Sequence, residues 1–133
     1  MADPRPANAR PLSPHLQIYK PTWTMTMSIA NRIAGCAAYV GFPLLAWWLL
    51  AASEGPGAYA YASAFFGSWF GILVLIGFSF ALIHHAVAGV RHLVWDLVIG
   101  MDLRSRMLWA QATLVVSVIL TVLLWVAIFI NVR

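Results

Sequence analysis

The placement of charge constrains this chain more than any other feature. In 133 residues the ionised side chains are Asp3, Arg5, Arg10, Lys20, Arg32, Glu54, Arg91, Asp96, Asp102, Arg104, Arg106 and Arg133. They leave three charge-free stretches, 33–53, 55–90 and 107–132, of 21, 36 and 26 residues. A helix of about 20 apolar residues crosses a hydrocarbon core about 30 Å thick.

Composition removes the competing classes. Hydrophobic residues make up 62% of the chain and charged residues 9%, whereas soluble domains carry about 25% charged residues. Disorder needs low hydrophobicity. The one cysteine, Cys36, cannot make a disulfide framework. Seven tryptophans suit a chain with two membrane–water interfaces to anchor. The net charge of +4 contains no basic run dense enough to follow phosphates, so nucleic acid is not an expected partner. The reading is an all-α integral membrane protein forming one membrane domain.

Three spans are expected, over about 27–53, 62–93 and 106–131. The 36-residue stretch is too short for two crossings and a turn, and Gly55-Pro56-Gly57 reads as a loop at its start. Residues 1–26 read as an arm on one membrane face, kept out of a continuous helix by Pro4, Pro6, Pro11, Pro14 and Pro21. A segment near Ser13–Tyr19 is expected in the interface. Arg5, Arg10, Lys20 and Arg32 precede or open the first span. Arg91, Arg104 and Arg106 follow the second, and the first loop has only Glu54. Retention of Lys and Arg on the inner side places the N-terminus and second loop in the cytoplasm and the C-terminus outside. Pro43 is expected to kink the first span.

Ionisable residues inside a span are costly and mark candidate function. His85 lies six residues inside Arg91, about 9 Å at helical rise. Helical rotation puts it on one face with Gly71, Phe78, Ala81, Gly89 and His92. A histidine beside small residues admits a flat macrocycle, and neutral imidazole is a good axial ligand for haem iron. The same residues also suit a hydrogen bond to a neighbouring helix with small-residue packing. No Cys-x-x-Cys-His is present, so any haem would be non-covalent. His84 points about 100° away from His85, and His92 lies about 10 Å further along the helix. His15 is in the arm. A second axial histidine would therefore come from another chain.

Ser28 and Arg32 stand four apart and share a helical face. Together they can hydrogen-bond a carbonyl or carboxylate at the membrane surface. Equally, Ser28 can cap a helix and Arg32 can snorkel. The third span has only Gln111, Thr113, Ser117, Thr121 and Asn131 as polar points and reads as scaffold. Asp96 with Arg91 reads as structural, and Cys36 as packed.

Three segments resemble one family. They are Arg10-Pro11-Leu12-Ser13-Pro14-His15-Leu16-Gln17-Ile18-Tyr19, Ser28-Ile29-Ala30-Asn31-Arg32-Ile33-Ala34-Gly35, and His85-x-x-x-Gly89-Val90-Arg91-His92-Leu93-Val94-Trp95-Asp96. The last two are similar to the motifs S-x-x-[HN]-R-x-[STA]-G and H-x-x-x-G-x-R-H-x-x-x-D of the cytochrome b556 subunits, the large membrane anchors of succinate dehydrogenase (respiratory complex II).

This resemblance implies a role for each matched residue. His85 would be an axial ligand of haem b iron, with the partner histidine on the small anchor subunit of a shared helical bundle. Ser28 and Arg32 would border the ubiquinone site. Arg32, Asn31 and His92 would lie around a haem propionate. Asn31 stands where many members have histidine, which weakens that contact to an uncharged hydrogen bond, and Ala34 removes a hydroxyl. The implied partners are the flavoprotein, iron–sulfur and small anchor subunits, together with the lipid bilayer. The implied function is passage of electrons from succinate to ubiquinone. A quinol:fumarate reductase anchor and a non-redox packing or assembly subunit are the alternatives. The chain has no site of its own for succinate, flavin or iron–sulfur clusters. The lack of a transit-like segment points to a bacterial inner membrane.

Overall fold

The computed structural model describes residues 19–131. The arm before Tyr19, with His15 and its proposed interfacial segment, lies outside the described residues. The remainder is helical: α1 is Trp23–Glu54, α2 is Pro56–Gly67, α3 is Trp69–Asp96 and α4 is Leu103–Asn131. Three of these, α1, α3 and α4, are long and apolar enough to cross a membrane, at 32, 28 and 29 residues.

Helix α1 starts four residues earlier than the sequence pattern suggests. Pro21 is the last residue that obstructs a helix, and the Thr26 N–H already closes on the Thr22 carbonyl at 3.0 Å. Ser28 is therefore a mid-helix residue and caps nothing. Pro43 stands inside α1. Only Gly55 breaks the chain after α1. Its φ of 121° suits glycine, and Pro56 already occupies the first turn of α2, where its missing N–H costs nothing.

The helix expected over 62–93 is interrupted. Ser68 has an extended backbone and caps α3, its hydroxyl accepting from the Gly71 N–H at 3.1 Å and donating to the Phe65 carbonyl at 2.6 Å. The two helices close so tightly that a Cβ on Gly71 would stand 2.1 Å from the Phe65 carbonyl oxygen. The apolar pattern continues through this break, so the pattern alone does not reveal it. By length α2, with 12 residues, is about 18 Å long and does not cross a bilayer.

The packed interior is made of small residues. Ala34, Ala38 and Gly41 of α1, Ala81 and Ala88 of α3, and Ala110, Thr113, Ser117 and Thr121 of α4 are buried. They recur at helical spacing and let the backbones approach, as membrane helices require when lipid is as apolar as leucine. The large apolar side chains, such as Leu49, Leu73, Val122 and Ile130, point outward. Gly41 is the tightest point: a Cβ there would lie 2.0 Å from Cδ2 of Phe78. Trp125 donates its indole N–H to Ser79 at 3.1 Å and ties α3 to α4.

Helix α3 leaves through Leu97 and Val98, the latter with φ of 61°, and the chain turns again at Gly100 with φ of 71°. Asp102 opens α4 by accepting the Ser105 N–H at 2.9 Å. Hydrogen bonding by Ser105, from its side chain and its backbone N–H, holds the Asp102 carboxyl below the usual carboxylate range.

Candidate functional site

The start of α1, the end of α3 and the start of α4 meet at one end of the bundle, where the sequence concentrates its polar residues. Two openings lie there. The first is a groove of about 480 Å³ lined by Asn31, Arg32, Gly35, Cys36, Tyr39, Val40 and His85. The second is a cavity of about 690 Å³ whose lining includes Trp23, Ser28, Arg91, His92, Trp95 and Arg106.

His85 is exposed on the groove, and its Nδ1 lies 3.3 Å from the backbone carbonyl oxygen of Asn31. A carbonyl only accepts, so Nδ1 carries the proton and Nε2 keeps its lone pair. That is the tautomer a metal-ligating histidine needs, with the orienting hydrogen bond supplied by the other nitrogen. Glycine clears the surroundings. A Cβ on Gly35 would stand 3.0 Å from Cε1 of the imidazole, and a Cβ on Gly89 would meet nothing within 4 Å. Among the described residues no three His, Cys, Asp or Glu side chains gather around a metal position. Haem iron brings most of its ligands with it, so it asks only one imidazole of this chain. The exposed guanidinium of Arg32 on the same groove suits an acidic edge of such a group. The residues present fit a haem.

Helix α3 turns one face into the bundle. It carries Gly71, Ala81, His84, Ala88 and Arg91, and His85 lies one position round on the exposed side. The reason is polar satisfaction inside the bundle. Nδ1 of His84 pairs with Oγ of Ser117 at 3.2 Å, and Arg91 donates to Oγ1 of Thr113 at 3.4 Å. Ser117 and Thr113 in turn donate to the Thr113 and Trp109 carbonyls of their own helix, at 2.6 Å and 2.8 Å. The polar points of α4 are thus partners of α3 as well as scaffold. The sequence reads Arg91 as structural beside Asp96 and Thr113 and Ser117 as scaffold, and it does not pair them with each other or with His84. Their signal is helical spacing, since Ala81, His84, Ala88 and Arg91 fall on one stripe facing hydroxyls spaced by four on α4.

Ser28 and Arg32, although four apart, open onto different spaces. Ser28 is half-buried and lines the cavity, and Arg32 lines the groove. His92 also faces the cavity, edge-on to Trp95 with ring centroids 5.3 Å apart. Asn31 sits between the two, its backbone carbonyl engaged by His85 and its side-chain oxygen buried without a partner.

Residues 6–124 match the family described as the succinate dehydrogenase/fumarate reductase transmembrane subunit. Similar relatives include the succinate dehydrogenase cytochrome b556 subunit of Paracoccus denitrificans, 42% identical over 130 residues, 98% of this chain and 99% of the relative. The protein of the same name from Rickettsia typhi is 36% identical over 119 residues, 90% of this chain and 93% of the relative. The succinate dehydrogenase cytochrome b560 subunit of Marchantia polymorpha is 44% identical over 94 residues, 66% of this chain and 68% of the relative. With nearly the whole chain matched and three helices capable of crossing a membrane, the chain belongs to the succinate dehydrogenase/fumarate reductase transmembrane subunit family.

Proposed function

We propose that the chain is the large membrane anchor of a succinate:ubiquinone oxidoreductase in a bacterial inner membrane, sharing a haem b with a small anchor subunit and forming part of the quinone site. The observation that carries this reading is His85 on its groove. It is an exposed intramembrane imidazole with Nδ1 occupied by the Asn31 carbonyl, Nε2 free, and glycine clearing its surroundings.

The lysines and arginines put the arm, the end of α3 and the start of α4 on the cytoplasmic side. Flavoprotein and iron–sulfur subunits would dock there. Haem b, when bound, supplies a one-electron store between the subunits. The chain's own residues do the rest. His85 would hold the haem iron through its free Nε2. Arg32 and Asn31 line the His85 groove and would face the acidic propionates, whereas His92 lines the neighbouring cavity and would join them through the family motif alone. The Ser28 hydroxyl donates to a quinone carbonyl. Arg32 places positive charge where a quinone oxygen becomes negative during reduction. A site at the aqueous boundary gives quinone reduction its protons. The relatives are named succinate dehydrogenases, which favours this direction over fumarate reduction.

The test is a spectrum of the complex purified through a tag on this chain. Succinate-reduced minus oxidised absorbance is expected to show a b-type band, and His85→Ala is expected to abolish or shift it. An unchanged band in assembled His85→Ala complex overturns the role of His85. An active complex without any band overturns the haem.

A further inference from the structure

The turn between α3 and α4 carries large apolar side chains that the bundle does not cover. Leu97, Val98 and Leu103 are 70%, 78% and 71% exposed, and Ile99 and Met101 are exposed as well. The turn also lies beyond its own charges. Exposed Asp96 closes α3, exposed Asp102 precedes α4, and exposed Arg104 and Arg106 stand in the first turn of α4. Charged side chains are costly in hydrocarbon, so these four mark its edge. The apolar tip is further from the bilayer centre than they are, and lipid tails do not reach it. A contiguous apolar patch with a polar rim marks an interaction surface.

The backbone holds this tip in a defined shape. Val98 has φ of 61° and Gly100 has φ of 71°. Glycine takes that conformation freely, and asparagine tolerates it, but a β-branched residue there is strained. The Val98 N–H closes on the Trp95 carbonyl at 2.8 Å. Trp109 of α4 packs against Gly100 so closely that a Cβ would stand 2.6 Å from its indole nitrogen. The turn is thus fixed to both helices, while the Val98 side chain touches little of the bundle. Strain of this kind persists at binding surfaces, where the strained side chain is used.

We propose that Leu97, Val98 and Ile99 form an apolar knob that seats in an apolar cleft of a water-soluble partner subunit. Asp96, Asp102, Arg104 and Arg106 form its polar rim. That rim has two charges of each sign, so an anionic lipid surface gains little from it, whereas a protein can match both signs. This deepens, and rests on, the reading that succinate-oxidising subunits dock at this end of the bundle.

The test uses membranes holding the whole complex, washed in dilute urea to weaken apolar contacts. Dye reduction by succinate is measured in the membrane and wash fractions, and the haem band marks the assembled anchor. The native chain is expected to retain the activity. Val98→Gly removes the strain and the side chain together. Val98→Asn keeps the left-handed turn and makes its tip polar. Each is expected to shift the ratio of retained to released activity about tenfold toward release, the scale of one aliphatic side chain left unburied, with the haem band unchanged. Native retention by both variants overturns the inference, and is the outcome if lipid or another part of this chain covers the tip. Should either variant lose the haem band, Ile99→Ser at the same tip is judged by the same ratio in its place. If membranes with the native chain hold no succinate-driven activity at all, the docking reading itself falls and the knob falls with it.

Discussion

Nδ1 of His85 lies 3.3 Å from the backbone carbonyl oxygen of Asn31, so α1 sets the imidazole of α3 through main chain. The side chain at 31 is not part of that bond. Asn31→Ala is therefore expected to keep the haem band near its native position, whereas His85→Ala loses or perturbs it. Gly35→Ala places a methyl 3.0 Å from Cε1 of the ring and is expected to tilt it, giving a shifted band with haem retained. Absorbance and reduction potential of the purified complex check all three. A shift from Asn31→Ala as large as that from His85→Ala would remove the main-chain account.

His84 is the next residue and has the opposite task. Ser117→Ala leaves the imidazole Nδ1 inside the bundle without its partner. The expected cost is about 1 kcal/mol, within the measured range for hydrogen bonds between membrane helices. His84→Leu should likewise leave the haem band in place. Detergent-solubilised thermal unfolding and the spectrum, read together, distinguish the two histidines.

Gly41 and Phe78 define the closest approach of α1 and α3. Gly41→Ala drives a methyl into the Phe78 ring near its attachment, where the ring cannot simply swing aside. A destabilisation of about 1–3 kcal/mol is expected, seen as a lower temperature of subunit dissociation. Phe78→Ala in the same chain should recover part of that loss, because the two positions share one volume.

Ser28→Ala or Arg32→Leu is expected to slow quinone reduction while succinate still reduces a soluble dye. Parallel loss of both activities would assign these residues to assembly instead. Arg32→Leu should also disturb the haem spectrum, because Arg32 and His85 line one groove, and Ser28→Ala should not.

Asp102 gives a pH signature outside the membrane. Its carboxyl is held below its ordinary value by hydrogen bonding from Ser105, so the cap is fully present above the unfolded carboxylate pKa. It is lost as pH falls through the lowered value. Protection of the Ser105 amide, its exchange rate relative to an unfolded chain at the same pH, should be lost only at acid pH in the native chain. In Asp102→Ala that protection should be low across the range.

The sequence by itself determined the all-helical class and the three helices long and apolar enough to cross a membrane. Twelve charges leave few long apolar stretches, and the three long helices follow from these, although Arg91 is buried inside α3 and Arg32 stands inside α1. Ser28, Arg32 and His85 stand out as candidates in the sequence because polar groups in and beside the apolar stretches are few. What the sequence left open was direction. His84 and His85 look alike in a row of letters, and only the packing of α3 on α1 and α4 sends one to Ser117 and the other to Asn31. The break at Ser68 was hidden because lipid-facing sequence is apolar on both sides of it, and the hydroxyl that pins it is a local contact. The division of Ser28 from Arg32, and the union of Ser28 with Arg91 and Trp95, depends on how three helix ends converge. Helical spacing fixes which residues share a face, but the neighbouring helices decide which side of that face is closed.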